Sequence, residues 1–115
     1  MPYKIMWFSR HEPLPSQKKE LKRVFGKDTI LVIDNRVFKN AREIIERMNE
    51  FKIDDIVVVA PLTVIKHLTE AGVKPIWAEM QVCDKSEAET EANGRYYKFV
   101  KFRRIKSVKV EFEEL

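Results

Sequence analysis

Apolar and polar positions fall in blocks that switch repeatedly between the period of a strand and that of a helix. Tyr3-Lys4-Ile5-Met6-Trp7-Phe8 is mostly apolar, stops at Ser9-Arg10-His11-Glu12 and is closed by Pro13 and Pro15, which predicts a first strand. Ser16 is placed to cap a helix with Leu21, Val24 and Phe25 on one side and Lys18, Lys19, Lys22 and Arg23 on the other, Gly26 lying just past its end. Thr29 to Ile33, closed by Asp34-Asn35, is a branched apolar run that predicts a strand covered on both faces and therefore central. Asn40-Ala41-Arg42-Glu43 has capping-box spacing and opens a helix in which Ala41, Ile44, Ile45, Met48 and Phe51 recur at helical period. Ile56-Val57-Val58-Val59-Ala60 predicts a central parallel strand, and Pro61 suits the first turn of a short helix with Leu62, Ile65, Leu68 and Ala71 as its stripe.

From Pro75 onward the pattern changes. Pro75 to Val82 predicts a fourth strand, and residues 84–94 form an acidic loop with Asn93-Gly94 as a turn signal. Tyr96–Phe102 and Ile105–Val110 then alternate like two strands joined by Arg103-Arg104, so residues 95–113 are expected to add an antiparallel β-hairpin to the sheet. Strand–helix–strand units are right-handed, so three in succession give a parallel sheet with helices on its faces. The expectation is one α/β domain over residues 1–115: a Rossmann-like three-layer fold with parallel strands in the order 2-1-3-4 plus that hairpin.

Composition narrows the class. With 44% hydrophobic and 35% charged residues the chain can fill a core beneath a heavily charged surface. Its one cysteine, Cys83, has no internal disulfide partner and falls on a predicted strand, which fits a reducing, cytoplasmic setting. The short apolar run at the N-terminus fits neither a signal-peptide core nor a membrane span. Dense charge, two glutamines and one cysteine match the pattern of thermophile proteins. A net charge of +4 is compatible with an anionic partner.

In open parallel sheets ligands bind beyond the carboxyl ends of the strands, where the strand order reverses. That crevice would be bounded by Ser9, Arg10, His11 and Glu12 after strand one, by Asp34, Asn35 and Arg36 after strand two, and by Pro61, Leu62 and Thr63 after strand three. Ser9 and Thr63 offer hydroxyls, Arg10 a fork that matches phosphate, and His11 a ring that titrates near neutrality. Together these residues describe a site for a phosphate-bearing ligand, a nucleotide or an oligonucleotide. Were there chemistry, metal-independent phosphodiester cleavage fits best, with His11 moving protons, Arg10 holding phosphate, and Ser9 or Thr63 orienting the substrate. Polar residues also gather at strand ends merely to turn and cap the chain. His67, beside Lys66 and Glu70 on the third helix, is expected on the surface. No glycine-rich phosphate loop, dinucleotide fingerprint or metal spacing of cysteine and histidine is present, so neither a cofactor nor a metal is expected.

A second constellation is basic and aromatic. Lys98, Lys101, Arg103, Arg104 and Lys106 alternate with Tyr96, Tyr97, Phe99 and Phe102, as in modules that pair cations with phosphates and stack bases on rings. Strand alternation also allows these rings to be core and the lysines to be solvated. A third possibility is an interaction protein without a small-molecule site.

The run Trp7-Phe8-Ser9-Arg10-His11-Glu12-Pro13-Leu14-Pro15-Ser16-Gln17 resembles a motif of small uncharacterised α/β proteins of phages, plasmids and integrated mobile elements, in which a strand ends in Ser or Thr followed by His-Pro, a spacer and Gln. The likeness continues through Val57–Leu62 and Pro75–Met80 and implies no particular activity. More distantly, Ser9, His11 and Pro13 after the first strand are similar to small CRISPR-associated Rossmann-type accessory proteins of the ring-nuclease kind, with Glu12 inserted before the proline. That resemblance implies a homodimer binding cyclic oligoadenylate through Ser9, His11, Thr63 and Lys66.

Overall fold

The computed structural model describes residues 2–115. Its elements are β1 (Lys4–Phe8), α1 (Pro15–Phe25), β2 (Ile30–Asp34), α2 (Ala41–Glu50), β3 (Asp55–Val58), α3 (Leu62–Glu70), β4 (Ile76–Cys83), a 3-10 turn at Lys85–Glu87, β5 (Thr90–Ala92) and β6 (Arg95–Arg104). The protein is mixed α/β. One six-stranded sheet runs in the order β2-β1-β3-β4-β6-β5. β1 lies parallel to β2 and β3, β4 meets β3 in parallel where Ile76 faces Val57, and β6 is antiparallel to both β4 and β5. Among the described residues no helix is long and apolar enough to cross a membrane.

Because successive strand side chains point to opposite faces, β1 and β3 divide their residues between two cores. Met6, Phe8, Ile56 and Val58 pack with Ala41 and Ile44 of α2 and with Ile65 and Leu68 of α3. Ile5, Trp7 and Val57 pack on the other face with Leu21 of α1 and with Ile76, and Phe102 of β6 leans on that cluster. Asn40 caps α2 as its spacing predicts, Oδ1 accepting the Glu43 N–H at 3.0 Å, while Glu43 Oε2 accepts the Lys39 N–H at 2.8 Å.

Four expectations are corrected. β2 is an edge strand, with Ile30 41% and Ile33 44% exposed; an apolar run looks the same whether a second neighbour covers it or not. α1 begins at Pro15 behind Leu14, so Ser16 lies inside the helix and its hydroxyl binds Glu89; the Leu14 N–H is satisfied by Gln17 Oε1 at 2.8 Å. Val24 of α1 is exposed, leaving Leu21 as that helix's buried apolar residue.

The fourth concerns the C-terminal part. The hairpin pairs β5 with β6 through Asn93 and Gly94, whose φ values of 52° and 75° suit the tight turn between twisted strands. The acidic segment 84–94 thus contains a turn of 3-10 helix and a strand, and Ile105–Val110 is not a strand. Ile105 and Val108 instead pack against the core between the sheet and α2 and α3, which explains their alternation without a second strand.

Candidate functional site

The carboxyl ends of β1, β2 and β3 enclose a cleft of about 290 Å³ lined by Ser9, Arg10, His11, Arg36, Val37, Phe38 and Val59. Its first wall is a tight turn: Ser9 Oγ accepts the His11 N–H at 3.2 Å, and the Trp7 indole N–H donates to the His11 carbonyl at 2.9 Å. A buried tryptophan therefore fixes the backbone of a loop whose side chains, Arg10 and His11, remain exposed.

The second wall rests on Asp34, which is buried at the end of β2. Arg36 forks onto it, Nε to Oδ1 at 3.0 Å and Nη2 to Oδ2 at 2.8 Å, and hydrogen bonds from that guanidinium hold the Asp34 carboxyl below its ordinary range. Arg47 of α2 comes up from below. Its Nη2 donates to the Val37 carbonyl at 2.9 Å, while Nη1 is buried without a hydrogen-bond partner, 3.6 Å from Asp34 Oδ2. Two guanidiniums thus share one carboxylate, and Arg10 adds a third cation at the rim.

A second cleft of about 290 Å³ meets the first at Ser9, His11 and Val59 and continues over the α1 face of the sheet, between Trp7, Gln17, Val57, Ala78, Met80 and Tyr97 and beneath β5. It is mainly apolar. Glu12, Thr90 and Glu91 add polar groups along its margin, and Gln17 is its buried polar side chain, only 5% exposed, whose Oε1 is used by Leu14 while its Nε2 has for partner the Met80 sulfur at 3.6 Å, a weak acceptor.

The residues expected from sequence are distributed as follows. Ser9, Arg10 and His11 line the first cleft, and Asp34 anchors it from behind through Arg36. Asn35 is exposed and lines neither cleft; Thr63 is exposed on the first turn of α3, outside both; Lys66 pairs with Glu70 at 3.9 Å along the helix. Of the basic hairpin, Lys98 pairs with Glu87, Arg103 with Glu79, and Arg104 forks onto Asp55, while Lys101 and Lys106 are exposed. Its rings are partly buried, Phe102 touching Trp7 edge-on with centroids 6.4 Å apart. Sequence reasoning passed over Arg47, and it placed Tyr97 among the rings of the basic hairpin and Gln17 at the close of the motif that begins at Trp7 without bringing either to this cleft.

Among the described residues no carboxylate hydrogen-bonds the His11 ring, and no three His, Cys, Asp or Glu side chains gather as metal ligands would. Comparison with protein families, with curated proteins and with solved structures gave no match.

Proposed function

We propose that the protein binds a nucleotide-like ligand across the two joined clefts, its phosphate held by Arg36 and Arg10 and its ring system lying in the apolar groove. The observation that carries this reading is the shared rim: a cationic cleft and an apolar one meet at Ser9, His11 and Val59. A ligand with an anionic end and a flat apolar end matches that division, and the combined space suits a small-molecule site. Strand-end loops holding the ligand beyond the carboxyl ends of a parallel β2-β1-β3 set agree with where Rossmann-like sheets bind nucleotides. Gln17 Nε2 is placed to donate to a ring nitrogen or carbonyl and would exchange its thioether contact for a better one. The role is recognition, with His11 and Ser9 as parts of the rim.

Calorimetric titration of mononucleotides, cyclic oligoadenylates and inorganic phosphate tests this. Arg36→Ala should weaken every phosphate-bearing ligand about tenfold, the worth of one charge-assisted contact. Tyr97→Ala should weaken nucleotides by a similar factor, about that of one lost stacking partner, and leave inorganic phosphate unchanged. Absence of heat with every nucleotide at millimolar concentration would remove the proposal.

A further inference from the structure

The open edge of β2 is apolar over its first four residues. Ile30-Leu31-Val32-Ile33 contains no lysine, proline or bulge, and two of its side chains are more than a third exposed. The Ile30 N–H donates to the Tyr3 carbonyl at 2.9 Å, so alternation turns the N–H and C=O of Leu31 and Ile33 outward, where no strand meets them. Above this edge, on the α1 face, Lys18, Lys19 and Lys22 border a shallow cleft of about 550 Å³ floored by Leu21, Leu31 and Ile33. Among the described residues none of these lysines is ion-paired.

The complementary pattern stands in the same chain. Lys109-Val110-Glu111-Phe112-Glu113-Glu114 alternates apolar and acidic residues, is not part of any helix or strand, and exposes Val110 and Phe112, the latter by 92%. Its glutamates have no ion pairs among the described residues either. A strand built from this segment puts Glu111 and Glu113 on one face and Val110 and Phe112 on the other.

We propose that two copies of the chain dimerise by reciprocal strand addition, residues 109–114 of each pairing with the free β2 edge of the other. Glu111 and Glu113 then face Lys18, Lys19 and Lys22, while Val110 and Phe112 extend the apolar row of Ile30 and Val32 on the α2 face. Six added residues cover the five of β2 and give Leu31 and Ile33 their missing backbone partners. Each copy donates one segment and receives one, which is the closed two-fold arrangement.

A chain's own segment is poorly placed for this. The Ile105 N–H is bound to the Pro75 carbonyl at the start of β4, and β3, β1 and β2 lie between that point and the open edge. Crossing them takes about 19 Å, or about six extended residues, so residues 106–111 would be taken up by the crossing and could not pair with β2. It would also pull Val108 from the core it packs against.

The test uses two charge-reversed full-length proteins, Lys18→Glu with Lys22→Glu, and Glu111→Lys with Glu113→Lys. By sedimentation equilibrium at about 100 μM the natural chain is expected to be a dimer. Each variant alone should dimerise at least tenfold more weakly, since groove and segment then carry like charge. Mixing the two should restore a heterodimer, because each groove then meets a segment of opposite sign. Phe112→Ser, which alters an exposed residue and leaves the fold intact, should weaken the dimer as well. A monomeric natural chain, variants that dimerise like it, or a mixture that forms no heterodimer would each overturn the proposal. So would a monomer whose Leu31 and Ile33 amides are protected from exchange, since that signals pairing within one chain.

Discussion

Asp55 is a buried carboxylate that three strands use at once. It starts β3, accepts both Arg104 Nη atoms of β6 at 2.7 Å, and accepts the hydroxyl of Tyr3, just ahead of β1, at 2.9 Å. Burial, reinforced by that hydrogen bond to an anion, pushes the Tyr3 phenol from 10.0 up to about 12. A folded-state value above the unfolded one means the contribution is complete below about pH 10 and is lost as pH rises toward 12. Denaturant titrations across that interval should show stability falling with pH, and Tyr3→Phe should flatten the fall; an unchanged slope in the variant would refute the role given to this phenol. Asp34 works in the opposite sense. Its lowered value keeps its contribution complete above about pH 4 and loses it as pH drops further, so Asp34→Asn should cost stability at neutral pH and make the acid limb shallower.

Elements made from local signals were legible in the sequence, and elements defined by a distant neighbour were not. Asn40 capping α2, the Asn93-Gly94 turn and the branched run of β3 act within a few residues, and each is where its residues place it. Whether β2 is central or at an edge depends on a strand lying beside it, and four apolar residues in a row carry no information about that. Ile105 and Val108 alternate because they dock on a core, a reason periodicity does not distinguish from pairing. The site divides likewise: Ser9, Arg10 and His11 follow β1 directly, but Arg47 and Tyr97 reach it only through packing. The long strand β6 is held at its end by Arg104, which also donates to the Lys74 carbonyl at 2.8 Å. Arg104→Met removes both contacts and leaves Asp55 buried without its cation, which should cost about 2 kcal/mol. Adding Asp55→Ala to that variant should recover part of the loss, since no lone charge is then buried; chemical denaturation of the three proteins measures both steps.

At the scale of the whole molecule, β1 and β3 are the common wall of two cores, so neither core can open without exposing the other. Phe8, Ile5, Ile56, Val57 and Val58 are all essentially inaccessible, whereas β5 and residues 109–115 are exposed throughout. The molecule is correspondingly extended for its length, with a radius of gyration of 15.4 Å against about 13 Å for a compact domain of this size. Stability should therefore be graded from one side of the sheet to the other. Native-state hydrogen exchange is expected to find the amides of Met6–Phe8 and Ile56–Val58 opening only with global unfolding, and those of Thr90–Ala92 opening well before. Phe8→Ala probes the shared wall directly, since deleting a fully buried ring costs about 3–5 kcal/mol, a large part of the total for a small domain. If the wall is common, that variant must lower protection on both faces together, at Ile44 in α2 and at Leu21 in α1 alike. Protection lost at Ile44 with Leu21 unchanged would mean that the two faces unfold independently.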